Sequence, residues 1–263
     1  MTTLNRIICA LIPDHKEQRD AMLTYESYQQ NLKSSLQQEP LAAPKTFTMP
    51  VMYPVYDQST YGSCVANACA YSILTQSKNT INISRLFVYA NSRLIDYVPL
   101  NQDIGTTILS TCKALTRYGA CPETLFPHST KKPSELPSLD AYKQSVLLPS
   151  FSYYNISRDL NVLKSCLQNG KPIIFGVIVY SSFLSQEVTK TGKVPMPNKT
   201  KETKFGGHCV CMVGYNDINS TFICANSWGS QWGQNGFFFL PYNYVKDFTL
   251  SIDFTVLTFS TAS

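Results

Sequence analysis

The chain is poor in charge and in the residue patterns that build metal or disulfide frameworks. Only 15% of its 263 residues are charged, and the formal net charge of +5 comes from scattered basic residues. Because no basic stripe is present, we expect no nucleic-acid partner. There are three histidines and an odd number of cysteines, nine, with no C-x-x-C pair. We therefore predict no metal site and no cofactor, and mostly reduced, buried thiols.

The chain also lacks a long hydrophobic run near its start. The apolar stretch from Ile7 to Ile12 is closed by Pro13, and it is too short for a signal-peptide core or a membrane span. We expect no membrane partner and a cytoplasmic location. A hydrophobic content of 44% over this length predicts a folded protein with a large core, arranged as one large domain or as two lobes.

Two prolines divide the chain into a leader and a main domain. Met22, Tyr25, Leu32 and Leu36 follow a helical spacing, which predicts an amphipathic segment. The EPLAAPK stretch at 39–45 then interrupts the pattern. We place an N-terminal leader at residues 1–47 and the main domain at residues 48–263.

The main domain changes character along its length. Helices are predicted after Ser63, after Ser84, from Thr106 or Thr107 to Gly119, and from Ser157 to Gln168. From about residue 172 onward, β-branched and aromatic runs separated by turn residues predict strands. Helices first and strands second indicate an α+β fold with two lobes, and a cleft between lobes is where a site is expected.

Five residue types in one order suggest thiol chemistry. Cys64 follows a Gly-Ser turn at a predicted helix start, where the helix dipole favours a thiolate. His208 lies in GGHCVCMVGY as a partner base, and Asn226 in CANSWG would fix the plane of its ring. Trp228 would keep water from that hydrogen bond. Gln58, together with the Cys64 backbone N–H, would form an oxyanion hole.

These motifs resemble the papain-like cysteine peptidases. The resemblance runs from about Pro54 to Tyr244, and NSWGSQWGQNGFF and GGHCVCMVGYND carry most of it. It implies a papain-like two-lobe fold: a helical lobe, then an antiparallel, barrel-like β lobe, with the active site between them. It also implies a peptide or protein substrate and the catalytic set Cys64, His208, Asn226 and Gln58.

One departure from the family pattern concerns a disulfide. The typical motif has a second Cys three residues before the nucleophile, where this chain has Tyr61. The pattern is more similar to the disulfide-poor branch known from bacteria and large viruses, so a viral particle or a host cell also fits the location. Without a disulfide partner nearby, Cys64 is expected to be an accessible thiol that is open to oxidation.

The resemblance also implies where substrate binds. By position, the QDIG stretch at 102–105 corresponds to the glycine-rich segment that pairs with the substrate backbone. The expected substrate-binding residues are Ile104, Gly105, Gly207 and Trp228. The sequence does not indicate an oligomeric state.

Two further classes remain open at this point. A non-catalytic peptide-binding module of the same fold would usually have lost one of the four catalytic residues, and this chain has all of them. A cysteine acyl transferase of related fold would normally use Asp where this chain has Asn226. Because the family is commonly made with an inhibitory leader, we expect residues 1–47 to dock on the main domain and partly block the cleft, with Pro40–Pro44 as the cleavable or hinging part.

Overall fold

The computed structural model describes residues 11, 44–50, 53–148 and 150–260. The described part of the chain contains seven α-helices and one short 3₁₀ helix, Ser181–Leu184. The α-helices are α1 (Cys64–Gln76), α2 (Arg85–Ile95), α3 (Ile108–Tyr118), α4 (Leu139–Ser145), α5 (Leu160–Gln168), α6 (Gln186–Thr191) and α7 (Tyr242–Lys246).

Local sequence explains the boundaries of the helices around the site. The Ser84 hydroxyl accepts the backbone N–H of Phe87 at the start of α2, and Thr107 does the same for Ser110 at the start of α3, as N-caps do. Gly119 ends α3 with φ 69°, a conformation that glycine adopts without strain. A Cβ at this position would also meet the Ser145 carbonyl oxygen.

Seven strands form one antiparallel sheet. They are β1 (Thr46–Thr48), β2 (Phe151–Asn155), β3 (Ile173–Tyr180), β4 (Lys204–Asn216), β5 (Thr221–Ala225), β6 (Phe237–Pro241) and β7 (Ser251–Phe259). The pairing order is β2–β7–β3–β4–β5–β6, with β1 pairing on β4. The long strand β4 therefore lies at the centre, between β3 and β5.

A core lies on each face of the sheet. On one face, α1 packs against β4, and every residue of α1 from Cys64 to Thr75 is buried. Ala66, Ala68 and Ala70 keep this helix slim enough for burial on all sides. On the other face, aromatic side chains that include Trp228, Phe183 and Phe238 form the second core. The predicted α+β fold, with helices first and strands second, is thus confirmed.

The beginning of the main domain differs from the expected boundary. Strand β1 pairs with β4 through Thr46 opposite Asn216 and Thr48 opposite Gly214, so a boundary between residues 47 and 48 falls inside a strand of the sheet. The amphipathic segment from Met22 to Leu36 lies outside the described residues. Within the described residues, no helix is long and apolar enough to cross a membrane.

Candidate active site

Cys64 is the first residue of the central helix α1. The residue before it, Ser63, does not cap the helix with its side chain. Instead, the Asn67 side-chain amide donates to the Ser63 carbonyl at 2.9 Å and to its hydroxyl at 3.0 Å. Cys64 thus lies at the positive end of a 13-residue helix.

The thiol of Cys64 is covered in this structure. Its exposed fraction is 0%, so the expectation of an accessible thiol is wrong for the full-length chain as folded here. Cys64 begins a helix whose residues up to Thr75 are all buried, and it belongs to the core cluster on that face of the sheet. None of the eight described cysteines is in a disulfide.

A hydrogen bond between two strands orients the imidazole. His208 lies on β4 and Asn226 directly follows β5, and His208 Nε2 is 2.8 Å from Asn226 Oδ1. The same oxygen accepts the backbone N–H of Ser227 at 2.8 Å. Because the amide oxygen is an acceptor, Nε2 carries the proton of this bond. Among the described residues, His208 Nδ1 has no hydrogen-bond partner.

Burial controls the charge of this histidine. His208 is 0% exposed, and burial lowers its pKa to about 4, although the hydrogen bond to Asn226 partly opposes this effect. The imidazole is therefore neutral at pH 7 in this state of the protein.

Trp228 covers the histidine from one side. Its ring stacks on the His208 ring, with centroids 4.7 Å apart and planes inclined by 25°. Trp232 packs edge-on against Trp228 at 4.9 Å, and Trp228 is only 1% exposed. We expected Trp228 among the substrate-binding residues, but the structure places it inside the second core, where it shields the His208–Asn226 bond.

Gln58 is held by the loop that carries Asn226. The Gln58 backbone N–H donates to the Ser227 carbonyl at 2.8 Å, and the Ser227 hydroxyl donates to Gln58 Oε1 at 2.5 Å. Gln58 Nε2 donates to the Tyr61 carbonyl at 2.8 Å. A primary amide has two N–H groups, so one remains for another acceptor. Ser227 was not identified from the sequence as a site residue, because a serine next to Asn226 carries no signal of a partner far away in the chain.

The expected substrate-binding segment lies ahead of α3. Ile104 is 53% exposed, whereas Gly105 is buried with φ 91°. The Gly105 backbone N–H donates to the Tyr89 hydroxyl at 3.0 Å. This N–H is therefore already bonded within the protein, and only the carbonyl of Gly105 is left for a peptide backbone.

Leu11 lies across the β lobe at the expected cleft. Its backbone N–H donates to the Gly207 carbonyl at 3.4 Å, and it forms a parallel bridge with Thr106. A Cβ at Gly207 would lie 3.0 Å from the Leu11 carbonyl oxygen, and one at Gly176 would collide with the Leu11 side chain. These two glycines thus give Leu11 room, and it is 5% exposed. Nothing in the local sequence distinguishes Leu11 from the other residues of its apolar run.

The fold and the site together are typical of hydrolases that use a cysteine thiol as the nucleophile. Residues 45–253 match the family model of the papain family cysteine proteases. An uncharacterized peptidase C1-like protein of Acanthamoeba polyphaga mimivirus is 36% identical over 94% of this chain and 85% of its own length. The crystal structure of xylellain, a cysteine protease from Xylella fastidiosa, superposes with a TM-score of 0.78 at 30% identity, covering 96% of each chain.

A more distant structure shares the fold alone. Procathepsin L 3 of Tenebrio molitor larval midgut superposes with a TM-score of 0.63 at 21% identity, over 83% of this chain and 70% of its own.

The chain belongs to the papain family and is a cysteine peptidase. Its similarity to a large-virus and a bacterial protein confirms the branch predicted from the sequence.

Proposed function

We propose that the protein hydrolyses peptide bonds with Cys64 as nucleophile, His208 as base and acid, Asn226 as the residue that orients His208, and Gln58 as an oxyanion donor. The observation that carries this assignment is the buried Nε2–Oδ1 bond of 2.8 Å. It leaves Nδ1 as the nitrogen of His208 that exchanges a proton with a thiol. The position of Cys64 at the start of α1 supports the choice of thiol.

The proposed reaction has two stages. In the first, the Cys64 sulfur attacks the peptide carbonyl carbon, and the His208 imidazolium gives its proton to the leaving amine as the C–N bond breaks. In the second, His208 takes a proton from water, the hydroxide attacks the thioester, and Cys64 leaves. In both tetrahedral intermediates, the oxyanion accepts from the remaining Gln58 Nε2–H and from the Cys64 backbone N–H.

Gln58→Ala is expected to lower kcat by about 10²–10³-fold, because loss of one oxyanion donor has costs of this size in other hydrolases. Ser227→Ala provides the matched comparison: it removes a hydrogen bond to Gln58 Oε1 and leaves the donor in place. Its effect should stay below about tenfold, the cost of a single hydrogen bond. Steady-state kinetics of both variants test this, and unchanged turnover in Gln58→Ala would show that the donor is another group.

The observed structure fits a covered precursor. Cys64 is fully buried, and burial holds His208 neutral, so the thiolate–imidazolium pair that peptide hydrolysis needs is disfavoured here. Leu11 supplies a contact between the leader and Gly207. We place the leader at residues 1–43, because β1 and the Pro44 carbonyl, which accepts the Tyr215 hydroxyl at 2.9 Å, belong to the main domain.

A thiol-reactive epoxide tests the nucleophile directly. It is expected to label Cys64 in preference to the other described cysteines, since burial raises the pKa of Cys121 to about 12 and also raises those of Cys69 and Cys209. The rate should be low in the full-length chain and lower still in His208→Ala, which lacks the base. Peptide mass mapping reads the site.

Two results of this labelling would count against the assignment. The first is label distributed over several of the described cysteines. The second is an equal labelling rate at Cys64 with and without His208, which would favour a binding module whose thiol is not activated. Product analysis with an added amine acceptor then separates hydrolysis from acyl transfer.

A further inference from the structure

Two segments of the helical lobe lie next to each other beside the proposed site. One is the turn at Tyr61 to Ser63, which leads into Cys64. The other is the segment at 102–105, which contains Gly105 and leads into α3. In the typical family motif, a Cys stands where this chain has Tyr61, and no disulfide occurs among the described cysteines. Any connection between the two segments is therefore made, among the described residues, without a disulfide.

The Asp103 carboxylate makes this connection. Its Oδ1 accepts the backbone N–H of Gly62 at 3.0 Å and the hydroxyl of Tyr89 at 2.6 Å. The Tyr89 oxygen in turn accepts the backbone N–H of Gly105 at 3.0 Å. A continuous chain of hydrogen bonds thus runs from the turn before the nucleophile to the substrate-binding segment.

The central member of this chain is rigidly held. Tyr89 lies in α2 and is 0% exposed. The guanidinium of Arg93 lies over its ring at 4.1 Å and donates to the carbonyls of Leu100 and Gln102 at 2.9 Å each. Arg93 therefore holds the backbone at the start of the 102–105 segment, and Tyr89 holds the Gly105 N–H at its end.

The protonation state of Tyr89 suits this arrangement. Burial, together with the adjoining Asp103 carboxylate, raises the pKa of the Tyr89 hydroxyl, so Tyr89 keeps its proton and remains a donor to Asp103. Hydrogen bonds to a carboxylate are shorter and stronger than those between neutral groups. The side chain of Asp103 is thus well suited to hold a backbone N–H two residues before Cys64.

We propose that Asp103 is a positioning residue that replaces the missing disulfide, tying the turn before Cys64 to the segment that binds the substrate backbone. Its side chain acts through the backbone of Gly62 directly and through the backbone of Gly105 by way of Tyr89. Because this connection consists of N–H and O–H hydrogen bonds and contains no sulfur, a thiol reductant does not break it.

The catalytic part of this inference rests on the proposed function, so the test begins with a measurement that does not. Amide hydrogen exchange in the full chain is followed at Gly62 and Gly105. Asp103→Ala is expected to accelerate exchange at Gly62, and Tyr89→Phe at Gly105, by about tenfold to a hundredfold, the scale of a lost buried or charge-assisted hydrogen bond. Asp140→Ala, at an exposed carboxylate that pairs with Lys143 at 3.9 Å, is the control and should change neither exchange rate.

Kinetics then distinguish positioning from general stability. With a long peptide that reaches the 102–105 segment, Asp103→Ala should lower kcat/KM about tenfold or more, while a short amide substrate loses about threefold or less. Asp103→Asn keeps an acceptor oxygen and should recover part of the loss. If Asp103→Ala fails to fold, the same exchange and kinetic measurements on Asp103→Asn and Tyr89→Phe test the positioning role.

Three outcomes would overturn the proposal. Unchanged exchange at Gly62 in Asp103→Ala and Asp103→Asn would show that the carboxylate does not hold the turn. Equal losses on long and short substrates would assign Asp103 a merely structural role. Accelerated exchange at Gly62 with unaltered kinetics on both substrates would show that the connection does not serve catalysis. By contrast, absence of peptidase activity in the wild-type chain would count against the proposed function and leave the exchange result standing.

Discussion

Replacing Cys64 by Ala is expected to reduce peptide hydrolysis below a few per cent of the wild-type rate. Loss of the nucleophile of a comparable hydrolytic triad lowers kcat by about 10⁶-fold. His208→Ala should lose activity to a similar extent, since it removes the group that activates the thiol and protonates the leaving amine. The measurement is steady-state turnover of a peptide substrate under reducing conditions.

The double variant makes this prediction sharper. Residues that act as one unit are strongly non-additive, so Cys64→Ala combined with His208→Ala should be no slower than either single variant. Cys69→Ala is a matched control, because Cys69 lies in the same helix and is equally buried at 0% exposure. It should retain activity once folded. Residual hydrolysis by Cys64→Ala above a few per cent would remove Cys64 from the reaction.

Asn226→Ala should lower the rate of peptide hydrolysis less than Cys64→Ala or His208→Ala does. Asn226 accepts from Nε2 at 2.8 Å and exchanges no proton, so its loss leaves a base that is present but poorly oriented. Trp228 still stacks on the ring at 4.7 Å and retains part of that orientation.

The sequence was most informative where function demands particular residue types. A thiol, an imidazole and an amide occur in one order, with turn and strand signals around them, and this pattern predicts the catalytic residues Cys64, His208 and Asn226. The structure joins His208 to Asn226 as expected. Gln58 was chosen on the same basis and is held within the same loop system. Helix starts at Ser84 and Thr107 were also predictable, because capping is local chemistry.

Tertiary contacts that no motif encodes were not predictable. Asp103 and Gly62 are 41 residues apart, and Ser227 and Gln58 are 169 apart, so neither pairing is visible in a local pattern. Strand β1, which spans the expected boundary after residue 47, was not predictable for a similar reason, since a three-residue strand becomes recognisable only through its partner β4. The burial of Cys64 is likewise a tertiary property of the folded chain, which no local pattern encodes.

Loss of the contact at Leu11 is expected to activate the full-length chain. Burying a leucine side chain is worth about 1.5–3 kcal/mol, which corresponds to roughly tenfold to a hundredfold in the equilibrium between covered and open clefts. Leu11→Asp would put a carboxylate beside Gly176 and the apolar side chain of Ile252, and it should open the cleft. Leu11→Met conserves volume and polarity and should leave activity close to wild type.

The kinetic form of the activation is also specific. Leu11 bonds to Gly207 and bridges Thr106; since Gly207 is an expected substrate-binding residue, we propose that Leu11 competes with substrate. Release of Leu11 from the cleft should therefore lower the apparent KM much more than it raises kcat. It should also hydrate His208, raise its pKa from about 4, and speed epoxide labelling of Cys64 by a similar factor.

A chain that begins at Pro44 provides the complementary test. It removes the proposed leader and retains β1 together with the Pro44 carbonyl that accepts the Tyr215 hydroxyl. A chain that begins at Thr48 would lose most of β1, so its activity would mix release of the cleft with damage to the sheet. If the Pro44 chain folds, and neither it nor Leu11→Asp hydrolyses peptides faster than the wild-type full-length protein, autoinhibition is wrong. The leader would then be a structural extension, and the burial of Cys64 would not limit the entry of substrate.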